Sequence, residues 1–408
     1  MKTVSYGANS RRASASTAAD VSLFGPEEAR KARSFHQGFG QYAATPLVRL
    51  EALAAHLGLA EIQVKDESRR FGLNAFKVLG GSYAVARYLA QRLDIPMQDV
   101  NPDLLRSAAV REKLGDMTLV TATDGNHGLG VAWTARQLGM KAMVFMPAGS
   151  APVRAENIRN TGAGCVITEC NYDDAVRLAM QHAADSGGVL VQDTAWDGYE
   201  EVPLWIMQGY TTLALEADEQ WQNSGAKPPT HMFLQAGVGS FAAAVLGYFV
   251  SAMGHSAPRA VIVEPQAADC YYRSFMAADG AAHSVAGHMR TIMAGLACGE
   301  PSSLCWPILR DRAVAALSCA DTVAANGMRI LAAPLQGDAA ICSGESGAAP
   351  LGALEHVMRA PEMEEVRQAL GLDDSSRVLL FSTEGDTSPD LYRQIVWYGR
   401  HGAEACGV

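Results

Sequence analysis

Four short stretches carry the residues with the clearest chemical potential. Lys77 sits in FGLNAFKVLGG, flanked by Phe76 and Val78 and followed by Gly80 and Gly81. In such a crowded, poorly hydrated setting the ammonium form is disfavoured. The lysine pKa is therefore expected to fall, leaving a usable nucleophile or base. The paired glycines leave room for a flat ligand against the backbone. A plainer reading has Lys77 snorkelling out of a helix's first turn. Three further loops are Thr123-Asp124-Gly125-Asn126-His127-Gly128, Asp193-Thr194-Ala195-Trp196-Asp197-Gly198 and Gly237-Val238-Gly239-Ser240. In the last, glycines after a strand let N–H groups face inward and the next helix adds its positive end, which makes a phosphate cradle. It lacks the Walker A lysine and the full G-x-G-x-x-G spacing, which argues against a nucleoside triphosphate or a dinucleotide. An ordinary strand-to-helix turn is the competing reading.

The elements around these loops alternate. Strands are expected at 61–65, 118–122, 142–146, 165–168, 189–192, 231–235, 259–264 and 377–381. Helices are expected at 128–138, 151–160, 173–184, 204–222 and 241–253, with another from Lys77 to about Arg92. Alternation with short loops predicts an α/β fold with open, twisted, mostly parallel sheets and helices on both faces. Ligands then sit at the carboxyl ends of the strands. Residues 85–193 read as a small α/β domain, and 1–84 with 194–408 as the large, cofactor-binding one. Residues 1–23, rich in Ser, Ala and Thr, read as a loose arm. The tail from Leu391 reads as one short helix and a loose end.

With 408 residues, 49% of them hydrophobic, the chain can bury a large core in two lobes. A net charge of -10 argues against nucleic acid or an anionic membrane surface as partner. No apolar run is long enough to span a bilayer, and no apolar signal segment follows Arg11 and Arg12, so a cytoplasmic location is expected. The eight cysteines, Cys165 to Cys406, form no C-x-x-C and read as reduced core thiols. No metal site is expected.

A lysine in an apolar setting, an asparagine in a glycine loop and a phosphate cradle together suggest pyridoxal 5'-phosphate, with the lysine forming the Schiff base. The order of lysine, GNHG loop and GVGS loop resembles the fold type II pyridoxal-phosphate enzymes, the tryptophan synthase β and serine/threonine dehydratase group. The resemblance runs from about Tyr42 to Gly385. It implies that Lys77 carries the cofactor and that Phe76, Asn126, Gly237, Val238, Gly239 and Ser240 contact it. Asn126 would lie beside the ring hydroxyl. The hydroxyl facing the ring nitrogen falls at Ser382 or Thr383.

The stretches FGLNAFKVLGG, ATDGNHG, VQDTAWDGYEE and FSTEGDTS resemble one branch of that family, which expels a β-amine. Dehydratases of the group carry serine or threonine where Asp124 stands. A buried carboxylate needs a cation, and a substrate β-ammonium is one; Asp193 could supply a second carboxylate. The simpler readings are a turn-forming Asp124 and a helix-capping Asp193. His127 reads as a structural loop residue, and Trp196, Tyr199 and Glu200 as wall or lid residues. The resemblance implies a homodimer that cleaves D- and L-2,3-diaminopropionate to pyruvate and ammonia, with Lys77 and Asp124 as bases on opposite faces. A serine/threonine dehydratase, a β-replacement synthase and a non-catalytic cofactor-binding protein are the alternatives.

Overall fold

The computed structural model describes residues 2–13 and 17–402. The expected loose end beyond Gly402, with Cys406, lies outside them. Eleven strands are present: β1 Val4–Ala8, β2 Leu47–Arg49, β3 Glu61–Asp66, β4 Thr118–Ala122, β5 Lys141–Met146, β6 Gly164–Ile167, β7 Val189–Leu190, β8 His231–Gln235, β9 Arg259–Pro265, β10 Ala315–Cys319 and β11 Arg377–Ser382. They form two sheets, a seven-stranded one in the order β1-β10-β9-β8-β11-β3-β2 and a four-stranded one in the order β6-β5-β4-β7. Only the outer strands β1 and β2 run antiparallel to their neighbours. The strands of the smaller sheet all fall within 118–190. The helix Val78–Leu93 crosses the position between 84 and 85 without a break.

Both sheets are covered on both faces, and the side chains show why. Along β8, Met232 and Leu234 join one buried apolar cluster while Phe233, between them, joins another. Along β9, Ile262 enters the first and Val261 and Val263 the second. In the smaller sheet Leu119 enters the first cluster, and Val120 and Ala122 pack with Ala175 and Ala179 of the helix Tyr172–Ser186. Strands with two apolar faces read as continuous hydrophobic runs, which suits parallel sheets sandwiched by helices.

One expectation is corrected, and one strand is added. The amino-terminal arm is not loose throughout: Val4–Ala8 is an edge strand, with Val4 opposite Cys319 and Ala8 opposite Ala315. Its pattern is too short to announce itself, and it is ordered by the open edge of β10. The strand Ala315–Cys319 was likewise not anticipated; a five-residue run of small side chains carries little strand signal. Of the cysteines, Cys165, Cys270, Cys298, Cys305 and Cys319 are buried free thiols. Among the described residues there is no cluster suited to a metal ion and no helix long and apolar enough to cross a membrane.

Candidate active site

The loops of interest leave the carboxyl ends of β3, β4, β7, β8 and β11 and meet around one cavity of about 1080 Å³. Its lining includes Phe76, Lys77, Asp124, Asn126, His127 and Asp193, with Gly237 through Phe241 and with Thr383 and Glu384. A pocket of this size accommodates a cofactor together with a small amino acid.

Lys77 closes the loop after β3 and immediately precedes the helix Val78–Leu93. The loop is held at both ends. At its start lies a buried charge network. Arg70 donates to both Glu67 and Glu216, and Lys65 reaches Glu216 at 2.8 Å, so two cations face two carboxylates away from water. At its end Ala75 forms a bridge with Glu384, and the Phe76 N–H donates to the Thr383 carbonyl at 3.1 Å. The amine is thereby fixed beside the end of β11.

The charge state of Lys77 differs from the expectation. Burial pulls the amine down, but Asp193, with its Oδ2 2.5 Å from Nζ, together with Tyr210 and Asp124 more than reverses this. The net shift is upward, so Lys77 stands as an ammonium paired to Asp193. Burial also opposes the Asp193 charge, yet Lys77, then His127, and the Tyr172 hydroxyl, donating at 3.3 Å, bring its pKa down to about 2. The sequence alone shows the lysine's apolar neighbours but not the carboxylate 116 positions away that meets it.

Asp124 already has a cation within the protein, and it is not a substrate β-ammonium. Arg154, on the helix Pro152–Arg159 after β5, donates from Nη1 to Asp124 Oδ2 at 3.2 Å and from Nη2 to Thr387 at 3.1 Å. The guanidinium is buried, and its Nε has no partner among the described residues. Asn126, the first residue of the helix Asn126–Leu138, donates to Glu384 Oε2 at 2.5 Å, while Glu384 Oε1 accepts the Ser346 N–H at 3.0 Å. Arg154, Glu384 and Tyr172 were not anticipated. Glu384 lies in the quoted FSTEGDTS stretch and Arg154 just past a strand end, which was the available signal; Tyr172 offered none.

The end of β11 separates the two hydroxyl candidates. Thr383 lines the cavity and accepts a hydrogen bond from Gln235 Nε2 at 2.8 Å. Ser382 points the other way and donates to Ser343 at 2.7 Å, as alternation along an extended chain requires. After β8, the backbone turns through Gly239 at φ +99° into the helix Ser240–Met253. A Cβ there would lie 2.1 Å from the Tyr271 hydroxyl, so glycine is needed both for the turn and for the space. The Ser240 hydroxyl ties the helix start to the Asp193 carbonyl at 2.6 Å.

An amine, an amide and a hydroxyl facing one cavity, with a glycine turn into a helix amino terminus, form a donor set that fits pyridoxal phosphate. Comparison with known proteins agrees. The chain is 53% identical over 398 residues to the diaminopropionate ammonia-lyase of Salmonella typhimurium, covering 97% of this chain and 98% of that protein. It resembles the crystal structure of diaminopropionate ammonia-lyase from Escherichia coli in complex with D-serine, with a TM-score of 0.90 at 47% identity. It also resembles the same enzyme in complex with an aminoacrylate–PLP azomethine reaction intermediate, with a TM-score of 0.89 at 46% identity; each alignment covers 98% of both chains. The family described as "Pyridoxal-phosphate dependent enzyme" matches residues 39–381, and the chain belongs to that family.

Proposed function

We propose that this chain is a carbon–nitrogen lyase that uses pyridoxal phosphate to convert 2,3-diaminopropionate to pyruvate and two molecules of ammonia. The observation that carries this reading is a single cavity in which one amine, Lys77, faces two carboxylates, Asp193 and Asp124. It occurs in a chain 53% identical to a diaminopropionate ammonia-lyase. When bound, the cofactor supplies the electron-accepting ring that makes the substrate Cα proton acidic.

In this reading the residues take distinct parts. Lys77 holds the cofactor and then acts as base toward the L isomer. Asp124 serves the opposite face and the D isomer, with Arg154 fixing its carboxylate. Asp193 accepts from Lys77 and sets its charge. Phe76 would pack against the cofactor, Asn126 and Thr383 would hold its ring, and Gly237, Val238, Gly239 and Ser240 would take its phosphate at the helix end. Free aminoacrylate then hydrolyses to pyruvate and the second ammonia.

The proposal extends to a small domain at 85–193, a large one at 1–84 and 194–408, a homodimer and a cytoplasmic setting without nucleic-acid partners, the last supported by the net charge of -10. A coupled pyruvate assay with both enantiomers of diaminopropionate and of serine tests the function. Pyruvate should form from both diaminopropionate isomers well ahead of either serine. Faster turnover of serine would make the enzyme a dehydratase, and no pyruvate from any of the four would remove the lyase reading.

A further inference from the structure

His127 lies at the wall of the cavity with an unusual arrangement of its two ring nitrogens. Nε2 is 2.8 Å from the Val191 carbonyl, which can only accept, so Nε2 carries the hydrogen. In the neutral ring Nδ1 is therefore bare. This nitrogen is buried and has no hydrogen-bond partner among the described residues. It stands 3.9 Å from Asp193 Oδ2, the same oxygen that takes the Lys77 ammonium at 2.5 Å. Two acceptors thus face each other across a gap that a small carboxylate rotation would close, and only a proton between them makes that approach favourable.

We propose that His127 is a positioning residue acting through Asp193, and that its Nδ1 stores the proton Lys77 must release to become a neutral amine. One N–H bond breaks on Lys77 and one forms on Nδ1. The ion pair passes from Lys77–Asp193 to His127–Asp193. Before transfer the three groups are positive, negative and neutral; afterwards the lysine is neutral, the carboxylate negative and the imidazole positive. The net charge is unchanged, and Asp193 is never left as an unpaired buried anion, the state that burial penalises most. No proton has to cross the cavity to solvent.

The resting charges oppose the transfer, since Asp193 holds Lys77 charged and burial holds His127 neutral, so it takes place only as Lys77 is consumed. Burial holds His127 neutral first of all, and Lys77 adds to that, while Asp193 and, more weakly, Asp124 pull toward the charged ring. When Lys77 gives up its charge, one of the two opposing influences disappears. Tyr172, at Asp193 Oδ1, and Tyr210, near Lys77, are both held protonated by burial and do not compete for the proton.

The inference rests on the proposed role of Lys77 as cofactor-binding lysine but not on the identity of the substrate, and the test separates the two. ¹⁵N NMR of histidine-labelled protein reports the state of each ring nitrogen; the His127 signals are assigned by their loss in His127→Gln or His127→Asn. Near neutral pH the apoenzyme should show the neutral Nε2–H ring. The holoenzyme, with Lys77 consumed, should show both nitrogens protonated. The neutral ring in both forms would overturn the proposal, whatever amino acid the enzyme turns over.

A second readout is the rate at which the apoenzyme takes up pyridoxal phosphate, trapped with borohydride across a pH series. Gln can still donate to Val191 but has nothing at the Nδ1 position. Uptake by His127→Gln should fall by about tenfold or more near pH 7, and the gap to wild type should narrow steadily as pH rises and hydroxide takes over removal of the lysine proton. A deficit that is constant across pH, or full rescue by Gln, would assign His127 a structural role only.

Discussion

Asp124→Asn separates the two faces of the proposed reaction. The substitution keeps the size of the side chain and an acceptor for Arg154 but removes the charge 3.2 Å from Nη1. At that distance and an effective dielectric of about 20, the lost attraction is of order 5 kcal/mol. Glu384 and Glu345 also face the guanidinium and offset part of it, which leaves a stability loss of roughly 2–3 kcal/mol. Catalytically, removing a general base costs about 10²–10⁴ in rate, or roughly 3–5 kcal/mol of transition-state stabilisation. If Asp124 is the base for the D isomer, kcat/KM for D-2,3-diaminopropionate should fall by about that factor, while the L isomer, served by Lys77, should lose less than about tenfold. The D/L ratio is the useful quantity, because partial unfolding or poor cofactor loading lowers both isomers together and cancels. Pyruvate release is followed with each enantiomer at matched cofactor occupancy. Equal losses for the two would refute the two-base account and leave Asp124 with a shared binding role.

Other substitutions probe separate parts of the site. Gly239→Ala forces an L residue to φ +99° with a Cβ against Tyr271, so it should cost at least about 1–3 kcal/mol and weaken pyridoxal phosphate binding, measured by equilibrium dialysis. Thr383→Ala should alter the visible spectrum of the bound cofactor. Ser382→Ala should leave that spectrum unchanged and lower stability by only about 1 kcal/mol through its lost bond to Ser343; the reverse result would exchange their roles. Glu216→Gln strips the shared charge from Lys65 and Arg70; Arg70 keeps Glu67, but leaving Lys65 a buried cation without a carboxylate should cost about 3–5 kcal/mol in denaturant unfolding of the apoenzyme, and an unchanged midpoint would show that the network contributes nothing.

Much of this architecture was legible in the order of strands and loops. The runs at 118–122 and 231–235 coincide with β4 and β8, each an apolar run followed by a glycine-containing loop and then a helical pattern. The site followed from them, since loops at the carboxyl ends of parallel strands converge. Contacts between segments distant in sequence were not legible. The Lys77 ammonium is set by Asp193, and Asp124 is met by an arginine from a different strand's loop. Ser382 and Thr383 could not be told apart until the face of β11 was known. The edge strand Val4–Ala8 exists only because β10 offers an unpaired side.

The central claim is that one amine, that of Lys77, carries pyridoxal phosphate covalently. Borohydride reduction of the holoenzyme followed by peptide mass mapping tests it directly. A pyridoxyl group on Lys77 and on no other lysine is the predicted result. An unmodified Lys77 peptide, or the label on any other lysine, would contradict it.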